Sequence, residues 1–308
     1  MNWTILKKAI QTHDIITIFS HVNPDTDALG SSYGLKQLIL DNYNGKQVLI
    51  LGEGEHRLFN DFDIISDEIV ANSLAIILDT PTLARVSSKQ VSLTSTSILV
   101  DHHPLLEPFT NEIFQSIEYG STCEMIADFI QDTGLNLSKE CAAFLYMGML
   151  TDTLSFKTNN TSYKTLEKAA FLAKSGFDIA ELNRTLFDIE LNKFQFKANL
   201  STKLTINNSF GYAILSKNDY QPYGMSESDA KGFVNTFGSI KGLNIWALFI
   251  LNEETNLYEG SLRSKYAALN SIAQSFNGGG HKNASGVKLM SKQDLSCLIN
   301  QLSELSID

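Results

Sequence analysis

Four runs of Ile, Val and Leu punctuate the first hundred residues: IITIF (15–19), QVLILG (47–52), SLAIILD (73–79) and SILVD (97–101). None of them alternates apolar with polar residues. A strand with one wet face alternates, whereas a strand covered on both faces does not, so these runs read as the interior of a parallel sheet packed between helices. That reading sets the fold class as α/β. Parallel neighbours need a crossover between them. DALGSSYGLKQLILDNY (27–43), between the first two runs, has helical apolar spacing behind Asp27 as its cap.

After Asp101 the texture turns helical. STCEMIADFIQDTG (121–134), SKECAAFLYMGMLTDT (138–153) and TSYKTLEKAAFLAKSG (161–176) come one after another, with Ser121–Glu124 and Ser138 placed as N-terminal caps. The polar helical stretch 179–203 reads as a connector. Beyond it come a strand in GYAILS, a helix over SESDAKGFVNTFGSI, strands in NIWALFILNE and LYEGSLRSK, a helix in AALNSIAQSF, the loop NGGGHKNASG, and a last strand and helix. The expected layout is a domain over 1–185 with a mainly parallel sheet flanked by helices, a helical connector over 186–204, and a smaller α/β domain with a mixed sheet over 205–308.

The formal net charge is −10, from 24 Lys and Arg against 34 Asp and Glu. That balance argues against long duplex nucleic acid as a partner, because such binding relies on many cationic contacts to phosphate. A small anionic substrate remains open if cations neutralise it locally. The 3 cysteines, Cys123, Cys141 and Cys297, form no CxxC pair and read as reduced thiols. No apolar h-region follows the first lysines, and no apolar run approaches the roughly 20 residues that cross a bilayer. A cytoplasmic protein with no membrane partner is expected.

Polar residues with metal affinity gather where the apolar runs stop. SHVNPDTDALGS (20–31), directly behind the first run, carries His21, Asp25 and Asp27. The third run ends in Asp79, the fourth in Asp101-His102-His103, and Asp152 lies in GMLTDTLSF at the end of a predicted helix. Open α/β sheets build their sites at this carboxyl edge. An Asp that closes a strand is most often a turn former or a helix cap, and the tripeptide DHH carries little by itself. The joint recurrence at successive element ends outweighs coincidence. Carboxylates with a few imidazoles and no thiolate suit Mn²⁺, with Mg²⁺ or Co²⁺ as substitutes, better than structural zinc. Four or five carboxylates in one cleft repel one another unless roughly two divalent ions offset them. A shared carboxylate can hold two such ions about 4 Å apart.

HVNPDTDALGS, LDT, VDHHP and TDT resemble, in order, the four motifs of the DHH phosphoesterases. GSLRSK (260–265) and GGGHKNASG (278–286) resemble the DHHA1 domain that follows them. Size and layout look most like the stand-alone nanoRNase/pAp-phosphatase (NrnA-like) group. The resemblance implies one metal held by His21, Asp25 and Asp79, and a second by Asp27, Asp79, His102 and Asp152, with Asp79 bridging. It implies that Asp101 orients a neighbour and that His103 faces the substrate phosphate. In the second domain it implies substrate contacts from Arg263, Ser264, Gly279, Gly280 and His281, opposite the metals across a closed cleft that limits substrate length. On residue chemistry alone, a Gly-rich loop is a turn or an anion nest, and an Arg on a strand is a surface residue or a bidentate phosphate clamp. Asn23 and Leu154 depart from the resemblance, since many relatives carry Arg and Gly there.

The expected activity is Mn²⁺-dependent hydrolysis of short oligoribonucleotides to mononucleotides, and of pAp to AMP, by water activated at two metals. Hydrolysis of cyclic di-AMP or pApA is the alternative. A family II pyrophosphatase fits less well for want of a GGGH loop, and a processive exonuclease fits less well for its charge. A non-catalytic nucleotide sensor would have lost ligands that are all present here. A homodimer is compatible with this reading.

Overall fold

The computed structural model describes residues 1–306 except 55, 57, 60 and 281, and leaves aside the side chains of 289 and 290. The chain divides into two compact units, Met1–Asp188 and Ile189–Asp308.

The first unit runs α1 (Thr4–Thr12), β1 (Ile15–Phe19), α2 (Thr26–Asn42), β2 (Gln47–Leu51), α3 (Asp67–Ala71), β3 (Leu74–Leu78), β4 (Thr96–Asp101), β5 (Glu112–Gln115), α4 (Thr122–Thr133), α5 (Lys139–Asp152), α6 (Tyr163–Ala173) and α7 (Ile179–Phe187). The strands order β2-β1-β3-β4-β5, and every neighbouring pair is parallel. The four apolar runs are β1 to β4, as their composition requires. Successive residues serve opposite faces: Ile16, Ile18, Leu74, Ile76, Ile98 and Val100 join the larger core, whereas Phe19, Ala75, Ile77 and Leu99 join a smaller one. The edge strand β5 is short and half exposed, so its sequence carries no run.

In the order 2-1-3-4-5 the winding reverses between β1 and β3, and the crevice at that reversal lies outside the carboxyl ends of the strands. Helix α2 starts there. Its cap is Asp25, not Asp27: one oxygen of Asp25, Oδ1, accepts the N–H groups of Asp27 and Ala28. Asp27 therefore sits inside the first turn and is buried. Helices α2 and α5 pack closely through glycine. A methyl on Gly30 would lie 2.7 Å from the Phe144 carbonyl oxygen, and one on Gly148 would lie 2.3 Å from Cys123 Sγ and 2.9 Å from Asp27 Oδ1. This close approach brings the start of α2 to the end of α5.

The second unit runs α8 (Leu191–Thr202), β6 (Thr205–Asn207), β7 (Phe210–Leu215), α9 (Lys217–Tyr220), α10 (Glu227–Gly232), β8 (Ile245–Asn252), β9 (Leu257–Ser264), α11 (Asn270–Ser275), β10 (Gly279–Gly280), β11 (Ala284–Met290) and α12 (Lys292–Leu305). Its sheet is mixed, in the order β10-β11-β9-β8-β7-β6, with β7 and β8 parallel and the other pairs antiparallel. Phe196 and Leu200 of α8 are fully buried in this unit's core. The helix expected over 226–240 stops at Gly232 and continues as a 3₁₀ segment, Phe233–Phe237; glycine in a helix interior weakens it. Among the described residues, no helix is long and apolar enough to cross a membrane.

Candidate metal centre

His21 follows β1, held by a bridge to Val86 and a hydrogen bond from Val22 N–H to the Arg85 carbonyl. Its Nδ1 lies 2.9 Å from the Val22 carbonyl oxygen. An N–H there leaves Nε2 as a lone pair, 3.9 Å from Asp25 Oδ2 and 3.7 Å from Asp79 Oδ2. Asp79 directly follows β3 with φ +56°, in the left-handed region that Asp, with its short polar side chain, enters more readily than most residues.

The other oxygen of Asp79, Oδ1, lies 3.5 Å from His102 Nε2 and 3.2 Å from His103 Nδ1. His102 Nε2 is also 3.4 Å from Asp152 Oδ2, at the end of α5, and 4.0 Å from Asp27 Oδ2. His102 Nε2 itself is buried and has no hydrogen-bond partner among the described residues. His103 Nδ1 sits 2.7 Å from Asp101 Oδ1, which also accepts the His103 N–H at 3.1 Å.

Three sets of ligand atoms come within 4.8 Å of one another: His21, Asp25 and Asp79; Asp27, His102 and Asp152; Asp79, His102 and His103. Ligands bound at about 2.1 Å to one octahedral ion stand ~3 Å apart when adjacent and ~4 Å apart when opposite. The separations of 3.4–4.0 Å among His21, Asp25, Asp27, Asp79, His102 and Asp152 fall in that range. Buried polar atoms ordinarily have partners, so the orphaned His102 Nε2 points the same way. The donor set, oxygen and imidazole nitrogen, suits divalent cations such as Mn²⁺ or Mg²⁺.

Electrostatics make the same case. Burial, then the charges of Asp79, Asp152 and Asp25, push the Asp27 carboxyl well above its usual range. Burial, then Asp79 and Asp25, push Asp152 up to about 8. Burial also opposes ionisation of Asp79. Its hydrogen bond from His103 and the nearby His102, His103 and His21 nevertheless hold it below the carboxylate range. Burial depresses His102. Burial would depress His103 too, but its bonds to Asp101 and Asp79 raise it to about 11. Burial and mutual repulsion thus oppose ionisation of Asp27 and Asp152. A bound cation removes that conflict.

The six ligand positions read from the sequence thus lie together, with Asp101 and His103 beside them. The segment that steadies them shows only a helix-capping pattern in sequence. Thr122 N–H donates to Asp27 Oδ2 at 2.7 Å, Cys123 N–H to Asp27 Oδ1 at 3.0 Å, and Thr122 Oγ1 to Asp79 Oδ1 at 3.1 Å. A Ser-Thr pair that opens a helix has many ordinary uses.

In the second unit, half-buried Arg263 donates from Nη1 to the Leu262 carbonyl. Burial lowers its pKa. Ser264 Oγ is engaged within the fold, donating to the Ala267 carbonyl at 2.6 Å and accepting from Asn283 at 2.9 Å. Gly279 and Gly280 pair with Gly286 and Ser285 on β11, whose Ala284 pairs with Arg263. Gly280 has φ +138°, and a methyl there would meet the Ala284 carbonyl oxygen at 2.5 Å. His281 lies outside the described residues.

Family models place these two units. One described as "DHH family, N-terminal domain" matches residues 15–149, and one described as "DHHA1 domain" matches residues 207–306. A Streptococcus mutans protein named "Probable bifunctional oligoribonuclease and PAP phosphatase NrnA" is 32% identical over 98% of this chain and 98% of its own length. The chain belongs to the DHH–DHHA1 phosphoesterase family. "Uncharacterized protein MG371" of Mycoplasma genitalium, similar over 96% of this chain and 93% of its own, is 30% identical. The crystal structure of an exopolyphosphatase-related protein from Bacteroides fragilis superposes with a TM-score of 0.87 at 25% identity, covering 98% of this chain and 95% of that one. As a DHH–DHHA1 enzyme, the chain carries an acidic and imidazole cluster at the carboxyl edge of its parallel sheet.

Proposed function

We propose that the protein is a Mn²⁺-dependent phosphohydrolase that cleaves short oligoribonucleotides to mononucleotides and converts pAp to AMP. The observation that carries this reading is the division of Asp79: Oδ2 faces the His21–Asp25 side and Oδ1 faces His102. His21, Asp25 and Asp79 would hold one ion, and Asp27, Asp79, His102 and Asp152 the other. When bound, two such ions would lower the pKa of water and offset the charge developing on a phosphoryl group. The chain's own residues supply the rest. Asp101 accepts at His103 Nδ1 and so orients the ring. His103 Nε2 is then the atom that donates a hydrogen bond or a proton to the leaving oxygen. In the second unit, Arg263 with Ser264, Gly279, Gly280 and His281 would bind a phosphate that is not cleaved, through a guanidinium fork and main-chain N–H groups.

Names of relatives support the substrate class without singling out one substrate. The S. mutans relative is named for oligoribonucleotides and PAP, whereas the M. genitalium relative, at 30% identity against 32%, is named for none. Hydrolysis of pApA or cyclic di-AMP, which asks the same chemistry of the same centre, is the second reading. One panel tests both: EDTA-treated protein is assayed on a three-residue RNA, pAp, pApA and cyclic di-AMP with Mn²⁺, Mg²⁺ or Co²⁺. The expected result is no turnover without metal and the fastest turnover with Mn²⁺ on short RNA and pAp. Full activity in excess EDTA would overturn the metal reading. Turnover confined to cyclic di-AMP and pApA would transfer the assignment to the second reading.

A further inference from the structure

Two proposed ligands, Asp27 at the start of α2 and Asp79 at the end of β3, are both touched by one short segment, Thr122–Cys123. The first turn of α4 has N–H groups with no partner inside the helix, and two of them are spent on both oxygens of Asp27. Ser121 satisfies the next one, accepting from Glu124 N–H at 3.0 Å. Thr122 adds a side-chain contact to a second ligand carboxylate. Its Oγ1 reaches Asp79 Oδ1, 43 positions away in sequence, from a fully buried position.

We propose that Thr122 is a positioning residue of the metal centre, its hydroxyl and N–H together fixing Asp79 and Asp27 in the relative orientation in which both face the cation they share. Asp79 is the residue that most needs such a tether. It stands at a left-handed turn, it belongs to two of the three ligand sets, and neither oxygen receives a main-chain N–H bond among the described residues. A β-branched side chain has few χ1 choices, so Thr holds its hydroxyl in one place more firmly than Ser would. The inference rests on the reading that the cluster binds divalent ions, and it names a residue outside the ligand set.

Four versions of the 308-residue chain test it: wild type, Thr122→Val, Thr122→Ala and Thr122→Ser, each stripped with EDTA. The readouts are free Mn²⁺ by electron paramagnetic resonance during titration, the melting temperature of the metal-free protein, and turnover of a short RNA against Mn²⁺ concentration. Wild type is expected to bind Mn²⁺ at two sites. Val and Ala are expected to weaken at least one site by about 10- to 100-fold, the usual effect of losing a partner that orients a ligand. Ser should stay close to wild type. Turnover by Val or Ala should recover as Mn²⁺ is raised, which a general packing defect would not allow. Ala adds no bulk and keeps the comparison available if Val does not fold. Wild-type affinity in Val and Ala would overturn the proposal, and so would a loss in Ser equal to that in Ala. If wild type itself binds no Mn²⁺, the metal reading fails first and the role of Thr122 falls with it.

Discussion

Asp79 concentrates the chemistry at the scale of single residues. Asp79→Ala should lower turnover more than about 100-fold and weaken both Mn²⁺ sites. Asp14→Ala, at a side chain 94% exposed beside Lys46, should change little. Retention of most activity by Asp79→Ala would remove the bridging assignment. His103→Ala should cut turnover while Mn²⁺ binding at both sites persists, because His103 is proposed to serve the leaving oxygen. Away from the centre, Asp128 provides a pH test. Burial opposes its ionisation, but Lys168 at 2.6 Å and hydrogen bonds from Trp3 and Tyr119 win, holding its pKa below the usual 3.8. A carboxyl depressed in the folded state stabilises the fold above its unfolded pKa and loses that contribution as pH falls through the folded value. The melting-temperature gap between wild type and Asp128→Asn should therefore be full at neutral pH and close below about pH 4. The ligands were legible because they gather where apolar runs stop. Thr122 was not, because its target stands 43 residues earlier at the end of β3 and no local pattern records the pairing.

Elements explain how residues so far apart in sequence meet. The sharp approach of α2 to α5 depends on Gly30 and Gly148. Gly148→Ala should cost about 1–3 kcal/mol and weaken Mn²⁺ binding, since the new methyl would press on Asp27 and Cys123. Unchanged melting and unchanged metal affinity would show that the helices have slack. After α5, Leu154, Ser155 and Phe156 all take positive φ, at +49°, +58° and +64°. The turn is closed by Ser155 N–H to the Leu150 carbonyl and Phe156 N–H to Thr153 Oγ1. Leu154 and Asn23 are the two positions that depart from the family resemblance, and both are left-handed. Asn tolerates that region and Leu does not. Leu154→Gly should raise the melting temperature by roughly 1–4 °C with Mn²⁺ affinity unchanged; a fall would mean that the Leu side chain contributes packing. The apolar runs announced β1 to β4, while β5, β6 and β10 were too short or too polar to announce themselves. Asp25 displaced Asp27 as cap because propensity cannot distinguish two aspartates two residues apart, whereas burial can.

At the scale of the whole molecule, Mn²⁺ is expected to raise the melting temperature of the first unit, by about 2.7 kcal/mol of added stability at one hundred times the dissociation constant of one site. The chain has two compact units, so calorimetry should resolve which transition moves. An equal shift of every transition would argue against a centre confined to Met1–Asp188. The parallel sheet was legible from the four continuous apolar runs, which suit strands covered on both faces, and from the helical segment between the first two. The placement of the site at the β1–β3 reversal followed once strand order was known. The ligands run from His21 to Asp152 and come from the ends of β1, β3, β4 and α5 and the start of α2. No short peptide within that span contains a complete set. During synthesis the proposed first set, His21, Asp25 and Asp79, is complete in sequence once β3 has emerged, whereas the second waits for Asp152 at the end of α5, so the two ions would find their ligands at different stages of folding.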